Sequence, residues 1–118
     1  MTHKDLEVYK LSLNLVEDIY KLTKDFPASE SFGLTSQLRR AAVSVPSNIA
    51  EGSSRGSTKD FIRFLNMSSG SLSEIETQLV IAERIGYITF NNRLQNNIST
   101  IRKMLYRLKQ ALSKKLSK

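Results

Sequence analysis

Cysteine is absent from the 118-residue chain, which excludes disulfides and thiolate metal sites alike. Histidine occurs once, as His3 close to a chain end, where fraying argues against a metal-binding or catalytic role. There is no Gly-x-x-x-x-Gly-Lys phosphate loop, no Gly-x-Ser-x-Gly elbow and no His-Glu-x-x-His pair. Gly52-Ser-Ser-Arg-Gly56 has the glycines of a phosphate cradle but follows no strand, so it reads as a turn between helices. Glu74 and Glu76 stand two apart and point to different sides of a helix, unlike the Glu-x-x-His pattern of ferritin-like bundles. No catalytic, cofactor-binding or metal-binding residue is therefore assigned, and the expectation is a protein that is not an enzyme. No run approaches about 18 consecutive apolar residues, so no membrane partner is expected. The start Met1-Thr-His-Lys-Asp5 lacks the apolar stretch of a signal peptide, which points to a soluble, cytoplasmic protein. The length suits one domain over residues 1–118 with a core of its own.

Acidic residues are also missing from one part of the chain. Residues 1–86 hold ten Lys/Arg and eleven Asp/Glu, whereas residues 87–118 hold eight Lys/Arg and no acid. The whole net charge of +7 thus sits in the last quarter, an asymmetry that suits a polyanionic partner.

What is abundant is helical periodicity. In residues 4–24, Leu6, Tyr9, Leu13, Val16 and Tyr20 form one stripe, and Val8, Leu11, Leu15, Ile19, Leu22 and Phe26 form another about 130° away. One stripe serves the core and the other needs a separate partner. The second is read as an oligomer interface, carried by Val8, Leu11, Leu15, Ile19 and Leu22. Residues 31–51 put Leu34, Leu38, Ala41 or Ala42, Val45 and Ile49 inward. Pro46 lies among them and predicts a kink, with a break into two short helices as the alternative. Gly52 suits the C-terminal cap. Ser57 is placed to cap a third helix, whose row Phe61, Leu65, Ser68, Leu72, Ile75, Leu79 and Ala82 keeps its phase through Ser68-Ser-Gly-Ser71. Small side chains there predict a close helix contact, with a flexible linker as the alternative. Gly86 closes that helix, and Thr89, Asn91 or Asn92 caps the fourth. Its inward row is Leu94, Ile98, Ile101, Leu105, Leu108, Leu112 and Leu116. Four such helices with short links predict an all-α fold: an antiparallel, up-down-up-down four-helix bundle with helix 2 kinked near Pro46.

Gln37-Leu-Arg-Arg-Ala-Ala-Val-Ser-Val-Pro-Ser-Asn-Ile-Ala-Glu-Gly52 is more particular than a generic amphipathic helix. With Phe64-Leu65, Gly70-Ser-Leu-Ser-Glu-Ile-Glu-Thr-Gln-Leu79, Ile85-Gly-Tyr87 and Met104-Leu105, it resembles the four-helix-bundle family encoded in intervening sequences of 23S rRNA genes. That family includes the accessory variability protein of diversity-generating retroelements. The resemblance implies a ring-like homopentamer. For the retroelement relative it also implies a basic surface that engages nucleic acid and a reverse transcriptase. Asn66-Met-Ser-Ser69 departs from the pattern, since many relatives have an alanine before the Gly-Ser.

Within the signature, Pro46, Asn48, Glu51 and Gly52 are read as structural, with Asn48 and Glu51 close enough on one helix to share a hydrogen-bonded network. Arg39 and Arg40 are the better candidates for phosphate contact, because guanidinium forks match phosphate oxygens. On the fourth helix, Lys103, Arg107, Lys114 and Lys118 fall opposite the apolar row, with Arg102 and Lys109 flanking. Tyr87 and Phe90 lie near this helix, but the sequence shows no interleaved aromatic platform for stacking bases. The favoured function is an oligomeric accessory protein that binds RNA or DNA with little sequence choice. The alternative is a homo-oligomeric scaffold whose basic face meets an acidic protein.

Overall fold

The computed structural model describes residues 2–116. Four helices follow one another: α1 (Glu7–Thr23), α2 (Leu34–Ser54), α3 (Thr58–Arg84) and α4 (Asn92–Leu116), with single 3-10 turns at His3–Asp5 and Ala28–Glu30. Each helix packs on its neighbours in sequence, and α1 closes the ring against α4, while the backbones of the diagonal pairs stay further apart. Phe26, in the loop after α1, lies 5.3 Å from the Tyr87 ring in the loop after α3, so both loops share one end. The bundle is therefore up-down-up-down, 51 Å along its longest axis.

Helix ends follow local chemistry. The Ser57 hydroxyl accepts from the Asp60 N–H at 3.0 Å, and the Asn91 side chain accepts from the Leu94 N–H at 2.9 Å, so Asn91 is the cap of α4. At the end of α3, Gly86 adopts φ +87. The Tyr87 N–H reaches back to Ala82 and the Gly86 N–H to Glu83, a Schellman ending that left-handed glycine permits.

Two expected boundaries move. α2 starts at Leu34 instead of 31 because the chain first turns through Ala28–Glu30, and the Glu30 carboxylate accepts from the Leu34 N–H at 3.1 Å. α2 also runs past Gly52 to Ser54, and the left-handed residue after it is Gly56, at φ +81. Gly52 is instead buried against α3: a Cβ there would stand 2.7 Å from Phe64 Cβ and 3.0 Å from Phe61 Cδ1. The close contact foreseen at Ser68-Ser-Gly-Ser71 involves its serines, since Gly70 faces open space. Gly52→Ala is expected to lower stability by a net of about 1–2 kcal/mol, because Phe64 Cβ cannot yield without moving the helix. Gly70→Ala, in an exposed helix interior, should raise stability by about 0.5–1 kcal/mol. Denaturant unfolding of the two variants tests these opposite signs.

α2 continues through Pro46 unbroken, so the two-helix alternative falls. α3 supplies polar partners around the proline: the Ser68 hydroxyl donates to the Val45 carbonyl at 2.8 Å, and Ser44 and Ser71 hydroxyls pair at 2.8 Å. The Asn48 amide donates to the Ser44 carbonyl and hydroxyl at 2.8 and 2.9 Å. Glu51 stands apart from this network and pairs with Arg55 at 2.9 Å on the surface.

In α1 the second stripe enters the core, and the first packs partly against it through Leu6, Tyr9 and Val16. Val8, Leu15 and Ile19 are buried in the monomer's own core, at 4%, 1% and 0% exposure, and Leu11 and Leu22 pack partly buried against it. The interface assigned to these five residues is therefore core. Leu13 and Tyr20 of the other stripe are the outward ones.

Glu30 latches the loop end. Besides holding Leu34, its carboxylate accepts the Tyr87 hydroxyl at 2.8 Å. The Leu34 N–H and then the Tyr87 hydroxyl lower the Glu30 pKa below its ordinary 4.5, and the same hydrogen bond raises that of Tyr87 above 10.0. The depressed carboxylate contributes stability that is present above pH 4.5 and lost as pH falls through the folded value. The raised phenol contributes below pH 10 and fails as pH rises through its folded value. Glu30→Gln should thus flatten the acid limb of a pH–stability curve, and an unchanged acid limb would overturn this role.

Candidate nucleic-acid interface

α4 turns Leu94, Ile98, Ile101, Leu105 and Leu112 into the core, which leaves its cations on the flanks and the outward side. The flanking ones are engaged. Arg102 pairs with Glu76 of α3 at 3.0 Å, the Lys109 ammonium donates to the Ser69 hydroxyl of α3 at 3.1 Å, and Arg93 reaches Asp18 of α1 at 3.4 Å. These exposed pairs stabilise little, about 0–1 kcal/mol each, but they orient their cations along the helix seams.

Lys103, Arg107 and Lys114 are exposed, and none has an ion-pair or hydrogen-bond partner among the described residues. At 100° per residue they fall within about 40° of one another, directly opposite the apolar row. Arg107 is about one helical turn from Lys103, and Lys114 about two turns further on. Lys118 lies outside the described residues. The outward side of α4 is thus a strip of free positive charge on a helix that carries no acid to neutralise it.

The two arginines of the signature do not join this strip, because α2 and α4 are diagonal in the bundle. The Arg39 guanidinium donates to the Thr23 hydroxyl at 2.9 Å and to the Tyr20 carbonyl at 3.4 Å, and it lies 4.5 Å over the Tyr20 ring. It clamps the end of α1 through Nε and Nη2. Arg40 is exposed beside a shallow groove of about 340 Å³ between α2 and α3, lined also by Gln37, Ser44, Ser71, Glu74 and Gln78. No group of three or more His, Asp or Glu side chains comes together to hold a metal among the described residues.

Of the aromatics considered beside α4, Phe90 is buried and Tyr87 is bonded to Glu30. Tyr106 was missed. It is 61% exposed, and its signal in the sequence was a spacing of three from both Lys103 and Lys109.

A family model described as 23S rRNA-intervening sequence protein matches residues 4–107. The chain is also similar to a crystal structure of a protein of unknown function from the S23 ribosomal protein family of Bacteroides thetaiotaomicron VPI-5482. The two are 26% identical with a TM-score of 0.78, and the match covers 87% of this chain and 95% of that one. No curated protein matches the chain.

Proposed function

The chain belongs to the 23S rRNA-intervening sequence protein family, and from that premise we propose that it is a homo-oligomeric, non-enzymatic accessory protein that binds RNA or DNA through the outward side of α4. The observation that carries this reading is the strip of Lys103, Arg107 and Lys114, exposed and without partners among the described residues, while Arg93, Arg102 and Lys109 of the same helix are engaged. Point charges of this kind meet phosphates without reading bases, so little sequence choice follows.

Assembly is supported by the outward apolar side of α1. Leu13 and Tyr20 are 40% and 42% exposed, and Val43 of α2, beside Tyr20, is 41% exposed. Burial of this patch between subunits removes apolar surface from water. The count of five rests on the family resemblance. A ring repeats the α4 strip, so one polyanion touching several copies gains avidity beyond a single contact.

Salt titration of binding to labelled RNA and DNA tests the reading. Neutralising three phosphates per engaged subunit gives a log–log salt slope of about −3 on duplex and about −2 on single strands. Absence of binding at low salt, about 50 mM, would sink it and leave the scaffold with an acidic protein partner in its place.

A further inference from the structure

The aromatic rings of the bundle are mostly covered. Tyr20 lies under Arg39, Phe64 between Arg55 and Arg63, Tyr9 against His3 and Phe26 against Tyr87. Among the described residues, two exposed rings have no such partner, Phe32 and Tyr106, at 100% and 61% exposure. Phe32 sits in the loop before α2, away from the free cations of α4. Tyr106 adjoins one of them, Lys103. On a helix surface its neighbours are the residues three and four away, and these are Arg102, Lys103, Lys109 and Gln110. Three cations, of which Arg102 and Lys109 are held to α3, and an amide therefore surround one open ring beside the outward strip of α4.

Phosphate binding alone needs no aromatic there, and a solvated basic face gains nothing from an exposed phenol. An open ring within a basic strip is the combination by which proteins hold single strands: cations track the backbone while the ring stacks on an unpaired base. Duplex DNA keeps its bases stacked internally and offers that ring nothing. Resting on the reading of α4 as a nucleic-acid face, we infer that Tyr106 stacks on unpaired bases and makes single-stranded nucleic acid the preferred ligand. Sequence tolerance survives, because every base has a π-face.

The experiment compares short labelled oligothymidylate, oligouridylate and a duplex, with wild type, Tyr106→Ala and Tyr106→Trp. Stacking contributes about 1–3 kcal/mol per base, so Tyr106→Ala should weaken binding to both single strands about 5- to 150-fold. Duplex affinity and the salt slope should stay as in wild type, because no cation is removed. The chain has no tryptophan, so Tyr106→Trp supplies a sole indole reporter. Its emission should be quenched by the single strands and not by the duplex, with single-strand affinity retained. Comparable loss on duplex and single strand, unchanged single-strand affinity in Tyr106→Ala, or an indole silent to single strands would each overturn the inference. So would a change of oligomeric state in Tyr106→Ala, which would make the ring a subunit contact. Wild type that binds no polyanion at all would overturn the basic-face reading itself. Wild type that binds every probe, with Tyr106→Ala unaltered, would overturn only the role of the ring.

Discussion

Replacing Lys103 and Arg107 together by glutamate is expected to remove binding to single-stranded and duplex nucleic acid while the bundle and its assembly stay intact. Each cation against a phosphate is worth about 1 kcal/mol at 4 Å in water. Reversing its sign turns that attraction into a repulsion of similar size, a swing of about 2 kcal/mol per position. Two positions give about 4 kcal/mol, or about a thousandfold in affinity for each engaged subunit. Among the described residues Lys114 is then the one free cation left on the strip, and the salt slope should collapse with the affinity. The fold has no reason to respond. Both side chains are exposed, without partners among the described residues, and surface substitutions of this kind usually stay within about 0.5 kcal/mol. Circular dichroism and light scattering check the second half of the expectation, and the salt titration checks the first. A double variant that binds as tightly as wild type would place the interface elsewhere.

The helices, their number and most of their caps were legible because each rests on local chemistry. Apolar steps of three and four mark a helix whatever packs against it, and Ser57, Asn91 and Gly86 act on groups within a few residues. Features that depend on a neighbouring helix were harder to read. Gly52 has the chemistry of a helix end, but its place is decided by Phe61 and Phe64 on α3. Arg39 and Arg40 are adjacent and alike in sequence. One points over Tyr20 and the other to solvent, a difference set by where α1 lies. The strip on α4 was legible because an acid-free amphipathic helix has only one side for its spare cations. Tyr106 was harder to read, because a lone aromatic at helical spacing from cations is as compatible with a packed flank as with an open ring.

The same limit applies to the two stripes of α1, and it leads to a paired test two residues apart. Both stripes have the helical period and similar apolar bulk, so periodicity alone cannot say which one enters the core. Tyr9 and Tyr20 held a clue, since their hydroxyls favour a position with water at one end. Leu15 is 1% exposed and Leu13 is 40% exposed. Leu15→Asp is expected to abolish the folded state. Truncating a buried leucine already costs about 2–5 kcal/mol, and an unpaired carboxylate in an apolar core adds more than a domain with about 5–15 kcal/mol of stability can absorb. Leu13→Asp should leave helical content and unfolding midpoint near wild type. It should dissociate the assembly, because a charge would then face an apolar patch across the subunit contact. Circular dichroism separates the two variants by fold, and light scattering at micromolar concentration separates folded monomer from oligomer. A folded Leu15→Asp would contradict the core phase of α1. A Leu13→Asp protein that remained oligomeric would move the subunit contact away from the outward side of α1.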